Sequence, residues 1–272
     1  MKQSNTLKVH VITQNEPFYI PKMLKELLSN QTTDYIIKSY TVLPPSRKNK
    51  SFYHWFEERA RLYTFKELFI VGSCFLFTKI INLIFKSTYS VKKLLSQNST
   101  EIPTKDINDE KYIESFKNID IIISISCPQL FKSELLNLPK FNCLNAHGTL
   151  LPKHRGVFGT WWPLFEGDNV TGGTIHTMEL KLDAGKILFQ EEFQIADYDT
   201  QYSLAWKTKK LMTTGLIQVL KNIKNADVEY IDNNYLPSYH RSPSKEMGKR
   251  FHKKGLKIID FKDIKNLIKI SF

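Results

Sequence analysis

Between Asn145 and Gly156 the chain reads Asn-Ala-His-Gly-Thr-Leu-Leu-Pro-Lys-His-Arg-Gly, and Leu182-Asp183-Ala184-Gly185 follows in the next forty residues. Amide, imidazole and carboxylate together suit acyl chemistry. An amide NH₂ can donate to a developing oxyanion. An imidazole titrating near neutrality can move a proton. A carboxylate can fix the imidazole tautomer and stabilise its charged form. Asn145 and His147 stand two apart, so on a strand they share one face. Residues 141–144 read as the end of a short buried strand, and Gly148 with Leu150-Leu151-Pro152 turns the chain directly after the histidine. That places both side chains at the carboxyl end of a strand, where open α/β sheets hold their ligands. Spacing alone fits a plain strand end with satisfied polar groups equally well.

The elements that must position these residues are legible in outline. Residues 7–13 alternate and are rich in β-branched side chains, which predicts an opening strand. A helix is predicted over 20–28, starting near Pro21, and a second strand over 34–43, closed by Pro44-Pro45. This strand–helix–strand opening is how a doubly wound sheet starts. No G-x-G-x-x-G follows the first strand, which speaks against a dinucleotide cofactor. Residues 111–117 predict a short helix, and the apolar run 119–125 a central parallel strand. Further on, a helix over 159–166 carries Trp161 and Trp162, and strands over 171–178 and 186–193 flank the loop of Asp183. Gly185 is expected at a positive φ. A long helix is predicted over 203–223, with Ser203 near its cap. A strand pair is predicted around Asp232-Asn233-Asn234.

Residues 47–97 are the least regular part. The run 68–85 is dense in apolar residues but interrupted by Lys79, so it makes a marginal membrane span. The favoured reading is a helix packed under the sheet or in a dimer interface. Peripheral membrane contact through 68–85, or a scaffold role, is the alternative. The aromatics of 52–56 are expected in the core or in a lid.

Composition bounds the rest. With 272 residues, 42% hydrophobic and 12% aromatic, the chain can bury one good core with a small appended subdomain. The net charge of +12 suits a nucleic acid or an anionic small substrate equally, and its lysines are dispersed as on a solvated surface. Cys74, Cys127 and Cys143 have no metal-ligand spacing and leave one unpaired in any disulfide scheme, so a reduced chain is expected. The first residues lack an apolar core followed by a cleavage site, and a cytoplasmic location is expected.

The pattern Asn145-x-His147-Gly148-x-Leu150-Leu151-Pro152-x-x-Arg155-Gly156, with Thr174-Ile175-His176-x-Met178 and Leu182-Asp183-x-Gly185, resembles the folate-dependent formyltransferase family. That family includes methionyl-tRNA formyltransferase, glycinamide ribonucleotide transformylase and the sugar N-formyltransferases. The resemblance spans roughly 119–223. It implies an α/β fold, a Rossmann-like, mostly parallel sheet flanked by helices. The implied division is a catalytic domain over 1–225, with a helical insertion at about 47–97, and a short strand-containing subdomain over 226–272.

The resemblance further implies 10-formyltetrahydrofolate as co-substrate, with Asn145, His147 and Asp183 catalytic. It implies that the pterin is held by Cys127, Pro128, Gln129 and Leu130, by Thr149, Leu150, Leu151 and Pro152, and by Glu179, Leu180, Lys181 and Leu182. No metal or covalent intermediate is required. Arg155 suits the folate tail or a substrate phosphate, and pairing with a carboxylate is an equal alternative. His176 is expected as a satisfied strand residue, and His10, His54, His240 and His252 have no evident partner. The expected acceptor is a nucleotide-linked amino sugar. Residues 243–251 and 255–260 resemble the short tail of sugar-type relatives, whereas the tRNA enzymes carry a longer oligonucleotide-binding barrel. The glycine-rich phosphate loop of the purine enzyme is also missing after the first strand. Initiator tRNA is the second choice, and a homodimer is expected from family habit.

Overall fold

The computed structural model describes residues 6–44, 52–85, 89–116 and 118–272. Among the described residues, nine strands run in chain order: β1 (Leu7–Gln14), β2 (Tyr35–Leu43), β3 (Thr100–Glu101), β4 (Ile121–Ile125), β5 (Asn142–His147), β6 (Arg155–Gly156), β7 (Val170–Thr177), β8 (Ile187–Gln194) and β9 (Tyr239–His240). Seven of them form one sheet in the order β3-β2-β1-β4-β5-β7-β8. From β3 to β5 every pairing is parallel, and β7 and β8 join antiparallel. β6 and β9 make a separate parallel ladder. The five residues of β4 are all buried, as an apolar run covered on both faces requires.

The helices are α1 (Ile20–Ser29), α2 (Phe52–Ala60), α3 (Phe65–Phe85), α4 (Val91–Leu95), α5 (Glu110–Glu114), α6 (Ser133–Leu136), α7 (Trp162–Glu166), α8 (Gln201–Lys224), α9 (Lys245–Lys253) and α10 (Ile264–Ile268). Proline in the first turn starts α1, and the Glu16 carboxylate accepts the free N–H groups of Phe18, Tyr19 and Ile20 there. α8 packs on the sheet through Met212, Leu216, Val219 and Leu220, which share a core with Val11, Ile123 and Leu144. Its cap is Thr200, with Ser203 three residues on; the two side chains close a reciprocal box, each accepting the other's backbone N–H.

Four expectations are corrected. α7 begins at Trp162, because Trp161 takes the capping position and buries its ring between Phe165 and Phe251. No hairpin forms around Asp232: Ile231 makes a single bridge to Ile187, and β9 pairs with β6 instead. The run 68–85 is a helix, but much of its surface faces outward, so of its two expected places, under the sheet or in a dimer interface, the first does not hold. Tyr53 and Phe56 are exposed, so they belong to no core. The predicted positions Pro45, Arg47 and Lys117, and the side chains of Phe52, His54 and Trp55, lie outside the described residues. After residue 226 the chain returns to the main body. Phe251 and Ile258 join Trp161, Trp162 and Leu204 in one cluster, and Ile259 and Leu267 join Phe18 and Tyr19 in another.

Candidate active site

β5 carries the first two predicted residues. Asn145 is half-buried and His147 buried, on one face of the strand. Pairing places His176 of β7 directly opposite Asn145. The loop between β7 and β8 then folds back over β5, so that Asp183 reaches both. The four polar side chains therefore converge from one strand pair and one loop.

Hydrogen bonding fixes most of their orientations. His176 Nδ1 donates to the carbonyl of Thr177 at 2.7 Å, which leaves Nε2 as an acceptor. Asn145 Nδ2 donates to that Nε2 at 3.1 Å and reaches Asp183 Oδ1 at 3.4 Å. Burial pushes the His176 imidazole down to about 4, helped by the neighbouring His147 and opposed by Asp183, so the ring is neutral at ordinary pH. Neutrality is what lets it accept from the amide. His147 Nε2 donates to the carbonyl of His154 at 3.1 Å, so its Nδ1 is the atom left for chemistry. That Nδ1 lies 3.6 Å from Asp183 Oδ2, beyond a direct hydrogen bond. The ring is therefore held by the His154 carbonyl, with Asp183 acting through its charge or through water.

Asp183 is buried and adopts φ 49°, with Oδ2 accepting the N–H of Gly156 at 2.8 Å. The left-handed residue is thus the aspartate and not Gly185, as expected from sequence. Gly185 is needed for another reason: a Cβ there would stand 1.8 Å from the Thr177 carbonyl oxygen. Gly156 combines φ 105° with a Cβ position 2.1 Å from the His240 carbonyl, so only glycine lets β6 lie against β9.

The loop after β5 is held by a second polar network. His154 Nε2 donates to Asp168 Oδ2 at 2.7 Å, and Lys153 bonds the other oxygen at 2.7 Å. Burial works against ionisation of Asp168, but these two bonds hold its carboxyl below the ordinary value. With its Nε2 donating to Asp168, His154 accepts at Nδ1 from His240 Nε2 at 2.9 Å, and His240 stacks on Trp162 with centroids 4.1 Å apart. Glu166 brings a carboxylate oxygen within 3.5 Å of His240. His240, without a partner in the sequence reading, joins the tail to the loop after β5 together with Ser238, whose Oγ accepts the His154 N–H at 2.8 Å.

Arg155 makes no ion pair among the described residues, and its buried Nε has no hydrogen-bond partner. Its positive charge is felt at His176, so it lies near the site. Of its two expected roles, pairing with a structural carboxylate is not seen among the described residues. The expected pterin residues divide into two groups. Cys127, Pro128 and Gln129 are half-buried and Leu130 exposed, in the loop after β4; Glu179, Leu180 and Lys181 are exposed and Leu182 half-buried, in the loop of Asp183. Thr149, Leu150 and Leu151 are buried beneath the site. There Thr174 Oγ1 donates to the Thr149 carbonyl and accepts from the Leu151 N–H, and Gln190 and Asn233 donate to the Leu151 carbonyl. Pro152 accepts from the Ser238 N–H. The Gln129 side chain is committed to Lys105 and Ile107, which leaves backbone groups to face a ligand.

Sequence reasoning missed Lys209 of α8. Its amine donates to Ser126, the left-handed residue at the end of β4, at 2.7 Å, and burial pushes it down to about 8. No spacing in the sequence links residues 126 and 209.

The formyl transferase family model matches residues 79–220, just over half of the chain. The chain belongs to the formyl transferase family. Over 172 residues it is 33% identical to methionyl-tRNA formyltransferase of Clostridium tetani, covering 61% of this chain and 53% of that protein. The chain thus spans about half the length of the curated relatives it matches. Among solved structures, a sugar N-formyltransferase from Shewanella sp FDAARGOS_354 aligns with a TM-score of 0.58 at 20% identity, covering 86% of this chain and 76% of that one. The N-formyltransferase from Helicobacter canadensis, in complex with folinic acid and dTDP-3-aminofucose, aligns with a TM-score of 0.55 at 20% identity, covering 94% and 85%. These likenesses establish the mostly parallel formyl transferase fold in this chain.

Proposed function

We propose that the protein transfers a formyl group from 10-formyltetrahydrofolate to the primary amine of a nucleotide-linked amino sugar. The observation that carries this reading is the convergence of Asn145, His147, Asp183 and His176 on one face of β5. In the reaction, the Asn145 amide keeps its bond to His176, gives up the long 3.4 Å contact to Asp183 Oδ1, and donates that second hydrogen to the oxyanion that forms when the amine attacks the formyl carbon. One such donor is worth about 3 kcal/mol of barrier. The proton of the new ammonium passes to His147 Nδ1 and on to the folate nitrogen, whose bond to the formyl carbon breaks. Asp183 stabilises the imidazolium while that proton is in transit. His176 keeps the amide aimed. The half-exposed loops of Cys127–Leu130 and Glu179–Leu182 offer backbone groups to the pterin, and Arg155 a fork for an anion. The sugar acceptor is supported by the coverage and fold likeness of the Helicobacter canadensis protein, whose complex holds such a sugar.

A second reading has its own observation, the 33% identity to methionyl-tRNA formyltransferase, and takes charged initiator tRNA as acceptor. One experiment separates the two. Purified protein receives 10-formyltetrahydrofolate and either a panel of nucleotide-linked amino sugars or charged initiator tRNA, and products are weighed by mass spectrometry. A mass gain of about 28 Da on one sugar, from formyl replacing hydrogen on the attacking amine, is the expected result. Gain on the tRNA alone would transfer the proposal to the second reading.

A further inference from the structure

α3 is a helix of 21 residues, about 31 Å long, that the proposed reaction does not use. It is apolar enough to cross a membrane, and two ordinary explanations fail for it. It is not near the amino terminus, and it is not a core helix, since only 22% of its apolar window is buried. Phe65, Phe69, Leu76, Ile80 and Leu83 form one stripe at helical spacing, with Phe65 87%, Leu76 61% and Leu83 80% exposed. A contiguous apolar face of this length on a soluble chain marks an interaction surface.

The opposite face is fixed to the protein. The buried Glu67 carboxylate accepts the N–H of Ile258 at 2.7 Å and that of Thr64 at 2.8 Å. Ile70 and Cys74 pack with Phe18, Tyr19, Ile259 and Leu267, and Asn82 accepts the N–H of Tyr89 at 2.8 Å. A helix tethered along its length cannot cross a bilayer, but it can lie in the plane of one. Lys66 and Lys79, both exposed, flank the stripe about 70° to either side on a helical wheel. Their ammonium groups lie 5.0 Å from the Phe261 ring and 5.2 Å from the Phe75 ring. On an interfacial helix, lysines there rise to the phosphate level while the stripe sinks among the acyl chains.

We propose that α3 docks the protein on an anionic bilayer surface, lying in its plane with the 65–83 stripe inserted. Charge favours lipid over a second copy of the chain. Each copy carries +12 and would bring its flanking lysines against those of its partner, whereas acidic headgroups attract them. The docking is independent of the formyl-transfer reading.

The test is flotation of the full chain with vesicles of phosphatidylglycerol and phosphatidylcholine, compared with phosphatidylcholine alone. Leu76→Glu and Leu83→Glu replace exposed side chains, so the melting temperature should not fall. The expected result is flotation with the anionic vesicles, weakened by salt and at least about tenfold weaker in either variant, since a charge must enter the apolar layer. Lys66→Glu with Lys79→Glu should weaken binding and flatten its salt dependence. Absence of flotation, equal flotation of the glutamate variants, or a dimer by light scattering that Leu76→Glu dissociates without any vesicle binding would overturn the proposal.

Discussion

Replacing His176 by leucine removes the acceptor that aims the Asn145 amide, and the loss should fall on turnover. The bond is 3.1 Å long and joins neutral groups, so its net worth is about 1 kcal/mol. The consequence is larger than the bond. The next acceptor within reach is Asp183 Oδ1 at 3.4 Å, and a charged acceptor binds roughly twice as strongly as a neutral one. The freed amide turns toward the carboxylate and away from the reacting carbon. If half or more of an oxyanion donor's 3 kcal/mol is forfeited, kcat falls about 10- to 100-fold. The KM for the folate should stay within about threefold, because no ground-state contact is lost. His176→Gln, whose side-chain oxygen can stand where Nε2 stood, should recover most of the rate. The acid limb of the pH–rate profile should not move, since His176 carries no charge above about pH 4. Rapid-quench transfer with the acceptor identified by the panel gives both constants. A kcat within about twofold of wild type, or equal losses in the leucine and glutamine variants, would refute this reasoning.

Three further outcomes are expected. Gly185→Ala puts a Cβ 1.8 Å from a backbone oxygen, and should lower stability by about 3 kcal/mol in urea melts; an unchanged midpoint would mean that the Asp183 loop is not held as described. Arg155→Met should raise the KM for the anionic partner about 10- to 100-fold, the worth of a charge-assisted bond, with kcat little changed; a loss in kcat alone would place the arginine elsewhere. Burial holds His10 at about 3 and His176 at about 4, both below the ordinary imidazole value of 6.5. Between pH 6.5 and those values the unfolded chain takes up protons that the folded chain refuses. Stability should therefore be full above pH 6.5 and fall as pH is lowered, by on the order of 3 kcal/mol per histidine at about pH 4.5. His10→Asn and His176→Gln should each flatten the decline, and a stability indifferent to pH across this window would contradict the burial of both rings.

Local signals in the sequence carried β1, β2, β4 and β5 of the parallel half of the sheet, whereas the two residues of β3 lie in a polar stretch that reads as loop. The β-branched opening strand, Pro21 and the isoleucine run of β4 each state their element within a few residues. Asn145 and His147 were legible because a strand's period of two is itself local. What stayed hidden depends on distant pairing. His176 meets the Asn145 amide only because β7 runs antiparallel beside β5, a pairing that no local spacing around residue 176 states. His154 and His240 meet through the β6–β9 ladder, formed by segments about 85 residues apart, so the expected hairpin at Asp232 gave way to a long-range pairing. Apolar density over 68–85 predicts a helix packed under the sheet or in a dimer interface. The helix is buried on one side only and not under the sheet, a distinction that depends on what surrounds it.

Asp183→Asn, assayed for folate binding and for formyl transfer side by side, tests the central claim most directly. Oδ2 must still accept the Gly156 N–H, so the new NH₂ takes the Oδ1 position and faces the Asn145 NH₂, donor against donor. The charge 3.6 Å from His147 Nδ1 disappears as well. Folate should bind within about threefold of wild type while transfer slows by about 10²- to 10³-fold. Transfer at the wild-type rate with folate bound would show that the convergence on β5 is not the catalytic machinery.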